Sequence, residues 1–289
     1  MTSESLPHWD LSNVYPGLES EEFEAAVAQL EASLDELDGY LAAHRIEAGA
    51  ELPEGGAAGV AGVLGGYLDR MNALLRLYNT LATYVYGFYC TNSYDTTARR
   101  IQSELEALEV RLDRQDVLFR GWIGTLAEDA GLFEATLEVE GPVHDHAFYL
   151  KETAEQTRYL MSAAEETLAA ELSLSGSRAW SKLQEVVTSQ VTVPFEREGK
   201  VEELPIAALQ NLRNDPDGDL RRRAHEAELA AWEGVREPLA ACLNGVKGAV
   251  NTLNARRGRE DCLHQSLDQS RIDRETLEAM LGVMHDSFP

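Results

Sequence analysis

Residues 161–200 read MSAAEETLAAELSLSGSRAWSKLQEVVTSQVTVPFEREGK, and residues 216–258 read PDGDLRRRAHEAELAAWEGVREPLAACLNGVKGAVNTLNARRG. The apolar period changes within this stretch, and the changes set the order of elements. Ser162-Ala-Ala-Glu165 matches a capping box and predicts a helix that stops at Ser175-Gly176. A second helix from Ser177 to about Gln190 places Trp180, Leu183 and Val187 on one side. Val191, Val193 and Phe195 then alternate with Thr192 and Glu196. After Arg197-Glu198-Gly199 the chain returns through Lys200, Val201 and Glu202. That pattern predicts a β-hairpin with a glycine-containing turn, and Pro194 makes its first strand an edge strand. Pro205 opens a short helix to about Leu212. Asp215-Pro216 restarts the chain into one helix of roughly 40 residues ended by Gly258.

N-terminal to this stretch the period is helical. Residues 1–19 form an extended arm in this reading, anchored by Trp9, Leu11, Val14 and Tyr15 and closed by a Pro16-Gly17 turn. Phe23, Val27, Leu30, Leu34, Leu37 and Leu41 make one stripe, with Ser20 as N-cap and Glu21 and Glu22 in the first turn. Residues 45–59, rich in Gly, Ala and Glu, read as a loop. A second helix from about Val60 to Asn92 is apolar on much of its circumference and is expected to be buried on more than one face. Tyr84, Tyr86, Phe88, Tyr89 and Tyr94 read as core aromatics, with a ligand groove as the other reading. Asp95 or Thr96 caps a third long helix striped by Ile101, Leu105, Leu108 and Leu112. Shorter helical segments follow, about Ala127 to Val139 and across HDHAFYLKETAEQTRYL (residues 144–160). At the far end, Asp273 caps a helix still running at Pro289, which suggests a fragment.

The fold class is therefore mainly α: an antiparallel bundle of long helices, a small β-hairpin, and a second, truncated helical lobe. The expected division is 1–190 for the N-terminal helical lobe and 191–289 for the start of a second lobe.

Composition narrows the partners. The 289 residues carry 50 acidic against 25 basic side chains, a net charge of −25. Such a surface repels phosphate backbones and anionic bilayers, so neither nucleic acid nor membrane is expected as a partner. It reads as a solvated, salt-tolerant surface or as an attraction for basic ligands. Cys90, Cys242 and Cys262 are odd in number and show no CxxC spacing, which suits a reducing compartment. The first residues lack a basic and apolar leader pattern, so the expected location is cytoplasmic.

Candidate chemistry is sparse. His225-Glu226 begins like HExxH, in which two histidines one helical turn apart bind zinc beside a catalytic Glu, but Leu229 stands where the second histidine is needed. His144-Asp145-His146 offers three ligand-type side chains, yet i and i+2 on a helix point to opposite sides. Glu165-Glu166 and Glu202-Glu203 are adjacent carboxylates of the kind a strongly acidic chain produces by chance. Arg221-Arg222-Arg223 lies beside Asp215, Asp217 and Asp219, where local neutralisation is the simpler reading. No nucleophile elbow or phosphate-binding loop occurs. The residues thus assign no catalytic and no metal-ligating side chain, and leave substrate-binding residues unknown.

Several segments, in order, resemble the oligoendopeptidase F branch of the M3 metallopeptidases. HWDLSNVYPGLES (residues 8–20) is similar to the family's opening arm. YLMSAAEETLAAELSLSGSRAWSKL (159–183) resembles its Ser-x-x-Glu-Glu segment with Ala-Trp after a small-residue turn. VTVPFEREGK (191–200) resembles its hairpin, RRRAHEAELAAWEGVREPLAACLNGVKG (221–248) its long helix, and SLDQSRIDRETLEAMLGVM (266–284) the stretch leading towards its active-site half. The resemblance implies an almost all-α, two-lobed hydrolase around a channel for short peptides. It also implies cleavage of internal peptide bonds by a zinc-bound water that a Glu activates. The family's zinc motif lies C-terminal to what this chain resembles, so Zn2+ belongs to a full-length parent, with ligands outside this chain. This segment would shape the channel, with 191–289 beginning the catalytic lobe, and would itself be inactive. The strand Val191–Glu196 is a candidate template for an extended peptide. The alternative is a non-catalytic all-α module that binds peptide or protein.

Overall fold

The structure is a computed structural model and describes residues 10–197 and 199–288. The chain divides into two compact units, Met1–Glu171 and Leu172–Pro289. The expected division after Gln190 falls inside the second unit. Pro7, Trp9 and Glu198 lie outside the described residues.

The first unit is built on three long helices, α1 (Glu21–Ala43), α2 (Gly56–Thr91) and α3 (Thr96–Ala127). Ser20 caps α1, its Oγ accepting from Phe23 N at 3.2 Å. Asp95 caps α3, accepting from Ala98 N at 2.9 Å. Each cap satisfies a backbone donor that the first turn leaves without a helical partner. The α1 stripe is buried at Phe23, Leu30, Leu34, Leu37 and Leu41, with Ala26 added and Val27 half-buried.

α2 starts four residues before the expected Val60, so the loop reading of 45–59 is too long at its end. Val60, Ala61 and Leu64 are buried, and their burial outweighs the weak helix propensity of the glycines. The helix packs against α1, α3 and two short helices, α4 (Ala130–Leu137) and α5 (Pro142–Asp145), as its wide apolar surface requires. At Gly66 a Cβ would collide with Tyr40, whose hydroxyl donates to Val63 O at 2.9 Å across the α1–α2 contact. α6 (Ala147–Gln156) and a 3-10 turn at Thr157–Tyr159 complete the wall against α3.

The arm anchors through Leu11 and Tyr15, which pack on this core, while Val14 is exposed. The Tyr84 hydroxyl donates to Tyr15 O at 2.8 Å, and Phe23 meets the Tyr15 ring edge-on. Of the aromatics on and after α2, Tyr84 and Tyr89 are core residues and Tyr86 and Tyr94 are exposed.

α7 (Ala163–Ser173) carries the chain across the division between units. Its capping box is formed: Ser162 Oγ accepts from Glu165 N at 3.4 Å, and Glu165 Oε2 accepts from Ser162 N at 3.2 Å. In the second unit, α8 (Ser177–Ser189) leads into the antiparallel pair β1 (Thr192–Arg197) and β2 (Lys200–Pro205). α9 (Ile206–Asn211), a 3-10 turn at Leu212–Asn214 and α10 (Gly218–Gly234) follow, then α11 (Arg236–Arg256), α12 (His264–Ser270) and α13 (Arg274–Ser287). Asp273 caps α13 as expected, accepting from Thr276 N at 2.7 Å.

The single helix of residues 216–258 is a misreading that the structure corrects. The chain breaks at Val235 (φ −115°, ψ 11°), between α10 and α11. Pro238 supplies no N–H for the carbonyl of Gly234 one turn earlier, and its ring crowds that carbonyl. Glycine at 234 lowers the barrier to leaving the helix.

Candidate functional site

The hairpin, α9 and α10 enclose a small core of Val193, Phe195, Ile206, Leu209, Leu220 and Ala224. Alternation along β1 turns Val193 and Phe195 inward, as the period-two pattern predicts. Arg223 lies with its guanidinium carbon 5.5 Å from the centre of the Phe195 ring and donates to Glu196 O at 3.2 Å.

Beside this core sits a buried carboxylate, Glu228. Its oxygens accept from Arg213 Nη2 at 2.5 and 2.6 Å, Arg213 Nε at 3.2 Å, Gln210 Nε2 at 2.9 Å and Trp232 Nε1 at 3.2 Å. Hydrogen bonding by Arg213 lowers its pKa to about 2, with Gln210 and Trp232 acting the same way against desolvation. It is therefore a fixed anion that holds α9, the 3-10 turn and α10 together. Sequence reading missed it, because one Glu among 50 acidic residues carries no local mark. The available signal was Trp232 one turn later on the same helix.

Residues singled out in the sequence are dispersed by the fold. His225 is exposed, with Nδ1 4.0 Å from Glu228 Oε2. His144 Nδ1 donates to Leu137 O at 3.1 Å, and His146 Nδ1 donates to Pro142 O at 2.7 Å. A carbonyl only accepts, so both rings carry their proton on Nδ1 in this arrangement. His146 Nε2 then accepts from Asn72 Nδ2 at 3.3 Å. Glu165 serves the capping box, and buried Glu166 accepts from Met161 N at 3.1 Å. Arg221 donates to the Asp215 and Pro216 carbonyls, and Arg222 pairs with Asp219 at 3.0 Å, so the basic run is spent locally. Cys90 and Cys262 are exposed and Cys242 is buried.

Among the described residues, no group of three or more His, Cys, Asp or Glu side chains is placed to hold a metal ion. Two of the histidines point Nδ1 at backbone carbonyls, and His225 has one carboxylate nearby and Leu229 a turn away. The donor set of these residues does not fit a catalytic zinc site.

The hairpin has two outer edges, and they differ. Pro194 pairs with Glu203 and Pro205 with Thr192, two steps apart along the ladder. Proline has no N–H, so these pairs belong to the set whose backbone groups point outward. The β1 edge therefore lacks its donor at Pro194, and its Glu196 carbonyl is taken by Arg223. On β2 the same alternation turns the N–H and C=O of Val201 and Glu203 outward, and both residues are exposed. Both strands are edges of this two-stranded sheet, as expected for Val191–Glu196, but β2 keeps its outward donors and acceptors more completely than β1.

With this geometry in hand, the likenesses are specific. Residues 126–192, from the end of α3 to the start of β1, match the N-terminal peptidase M3 family described as oligopeptidase F. The crystal structure of oligoendopeptidase F from Enterococcus faecium superposes over 91% of this chain with a TM-score of 0.72, at 13% identity. The fold is that of the N-terminal part of oligoendopeptidase F. A candidate peptidase from Chlamydophila abortus shares 17% identity over 95% of the chain, with a TM-score of 0.51. A further crystal structure described as an oligoendopeptidase F candidate gives 18% identity over 84%, also at 0.51. No curated protein matches in sequence. The chain spans 49%, 44% and 37% of those three structures, about half or less of each. Among the described residues, no helix is long and apolar enough to cross a membrane.

Proposed function

We propose that this chain is the N-terminal half of a zinc metalloendopeptidase that hydrolyses short peptides. In this reading it shapes the peptide channel and does not itself cut. The observation that carries it is the likeness over nearly the whole of this chain to half of an oligoendopeptidase F. The exposed side chains Met280, Leu281 and Met284, with half-buried Leu277 on the same helix and exposed Phe288 at its C-terminal cap, add support, since α13 offers an apolar face to further polypeptide. Residues 191–289 begin the catalytic lobe, and the zinc ligands and the Glu that activates water lie outside this chain. The contribution of this chain is to bind and align: the outer edge of β2 takes an extended peptide as an added strand, through the backbone groups of Val201 and Glu203. The working compartment is the cytoplasm.

The test combines metal analysis with an internally quenched peptide library. The purified chain is expected to hold no stoichiometric zinc and to cleave nothing, with or without added Zn2+. Cleavage accompanied by one bound zinc per chain refutes the reading.

A further inference from the structure

α1 and α3 run side by side in the same direction, and a cluster of polar contacts fastens them towards their C-terminal halves. Arg111 Nη2 donates to Asp35 Oδ1 and to Asp38 Oδ2, both at 2.7 Å. Next to it, buried Gln115 donates through Nε2 to Leu34 O at 2.9 Å and Asp38 Oδ1 at 2.8 Å. Towards their N-terminal ends the two helices leave a groove of about 470 Å³. Its floor is apolar, with Phe23, Ile101 and Leu105 buried and Val27 and Leu108 half-buried. Its rim is acidic: Glu19, Glu24, Glu31 and Glu104 are all exposed. Among the described residues Arg100 is the single basic one lining it, and Glu104 already holds it at 2.8 Å. No described cation pairs with Glu19, Glu24 or Glu31.

We infer that this open end of the α1–α3 seam docks a basic amphipathic helix of another polypeptide. The floor residues Phe23 and Val27, and Ile101 and Leu105, stand four apart on their helices, which is the spacing of the grooves that a helix ridge fills. An incoming helix with apolar residues at i, i+3 or i+4, and i+7 would seat them against Val27 and Leu108. Three rim carboxylates without described partners select Lys or Arg on its flanks, and the net charge of −25 steers such a partner from a distance. From Glu21 to Glu31 the groove follows α1 for about 15 Å at helical rise, or nearly three turns of a docked helix. An extended peptide needs an open strand edge instead, and the groove offers none. All its lining residues belong to the first unit and lie outside residues 126–192, so the inference does not rest on the peptidase reading.

The probe is a fluorescein-labelled synthetic helix of about 14 residues, with leucine on one face and lysine on the other. A counterpart with glutamate for lysine serves as control. Anisotropy with the full chain at physiological salt is expected to rise saturably for the lysine peptide and not for the glutamate one. Val27→Glu, and separately the pair Glu24→Lys with Glu31→Lys, are each expected to weaken binding about tenfold or more. The pair Glu226→Lys with Glu278→Lys, in the second unit, changes net charge equally and is expected to shift affinity less than about twofold. Circular dichroism checks each variant; should Val27→Glu unfold, the exposed Glu24 and Glu31 pair still decides. Equal losses from both charge-reversal pairs, or no saturable binding, overturn the inference. A chain that sediments as a dimer by itself, and turns monomeric with Glu24→Lys and Glu31→Lys, gives the groove to a second copy and also overturns it.

Discussion

Arg213 grips Glu228 from the side, with Nη2 2.5 and 2.6 Å and Nε 3.2 Å from the carboxylate oxygens. The carboxylate is almost fully buried, whereas the guanidinium is half-exposed. Removing the cation strands a buried anion, which is far more costly than losing a surface pair. Arg213→Met is expected to lower the unfolding temperature of the second unit, by less than breaking a fully buried pair would because water already reaches Arg213. Thermal unfolding followed by tryptophan fluorescence reads this, and a change within the noise shows that the grip contributes nothing.

The same carboxylate sets a pH window. Its folded pKa of about 2 lies below the ordinary value of 4.5. A lowered pKa stabilises the fold above the unfolded value and stops doing so as pH falls through the folded one. The denaturant midpoint of the second unit is therefore expected to fall between pH 4.5 and 2. Glu228→Gln removes that component, so its midpoint varies less with pH over the same interval.

Gly245 faces Trp180 across the contact between α11 and α8, where a Cβ would overlap the indole ring. In an open helix position, Gly→Ala adds up to about 1 kcal/mol of stability. Here the sign reverses: Gly245→Ala is expected to lower the unfolding temperature and shift Trp180 emission as α8 is pushed off α11. Gly248→Ala has open space, and is expected to be neutral or stabilising.

If the β2 edge takes a peptide strand, the donor at Glu203 is essential to it. Glu203→Pro removes that N–H at a position whose partner across the ladder is itself a proline, so the hairpin keeps its internal bonds. Binding of a labelled extended peptide is expected to weaken about tenfold, while Glu202→Ala changes it little. Equal affinities for both variants remove β2 from the proposed function.

What could be read in the sequence was whatever local chemistry decides. The caps at Ser20, Asp95 and Asp273 and the box at Ser162–Glu165 need only neighbours within one turn. The stripe on α1 and the alternation on β1 are likewise periodic and near in sequence. The break at Val235 depends on Gly234 and Pro238 acting together, and a continuous apolar period across them hid it. Glu228 escaped because its partners Gln210 and Arg213 sit 18 and 15 residues away. Which backbone groups of the hairpin face outward was hidden because it depends on ladder phase, which two prolines set jointly.

α2 has a consequence for how the chain is made. Its 36 residues carry apolar side chains around most of the helix, and α1 covers only part of them. During synthesis, α1 and α2 emerge before α3 exists. At ribosomal speed, the 32 residues of α3 take about 2 to 6 seconds to appear. For that interval a nascent chain exposes an oily surface to every chaperone and to every other copy being translated nearby.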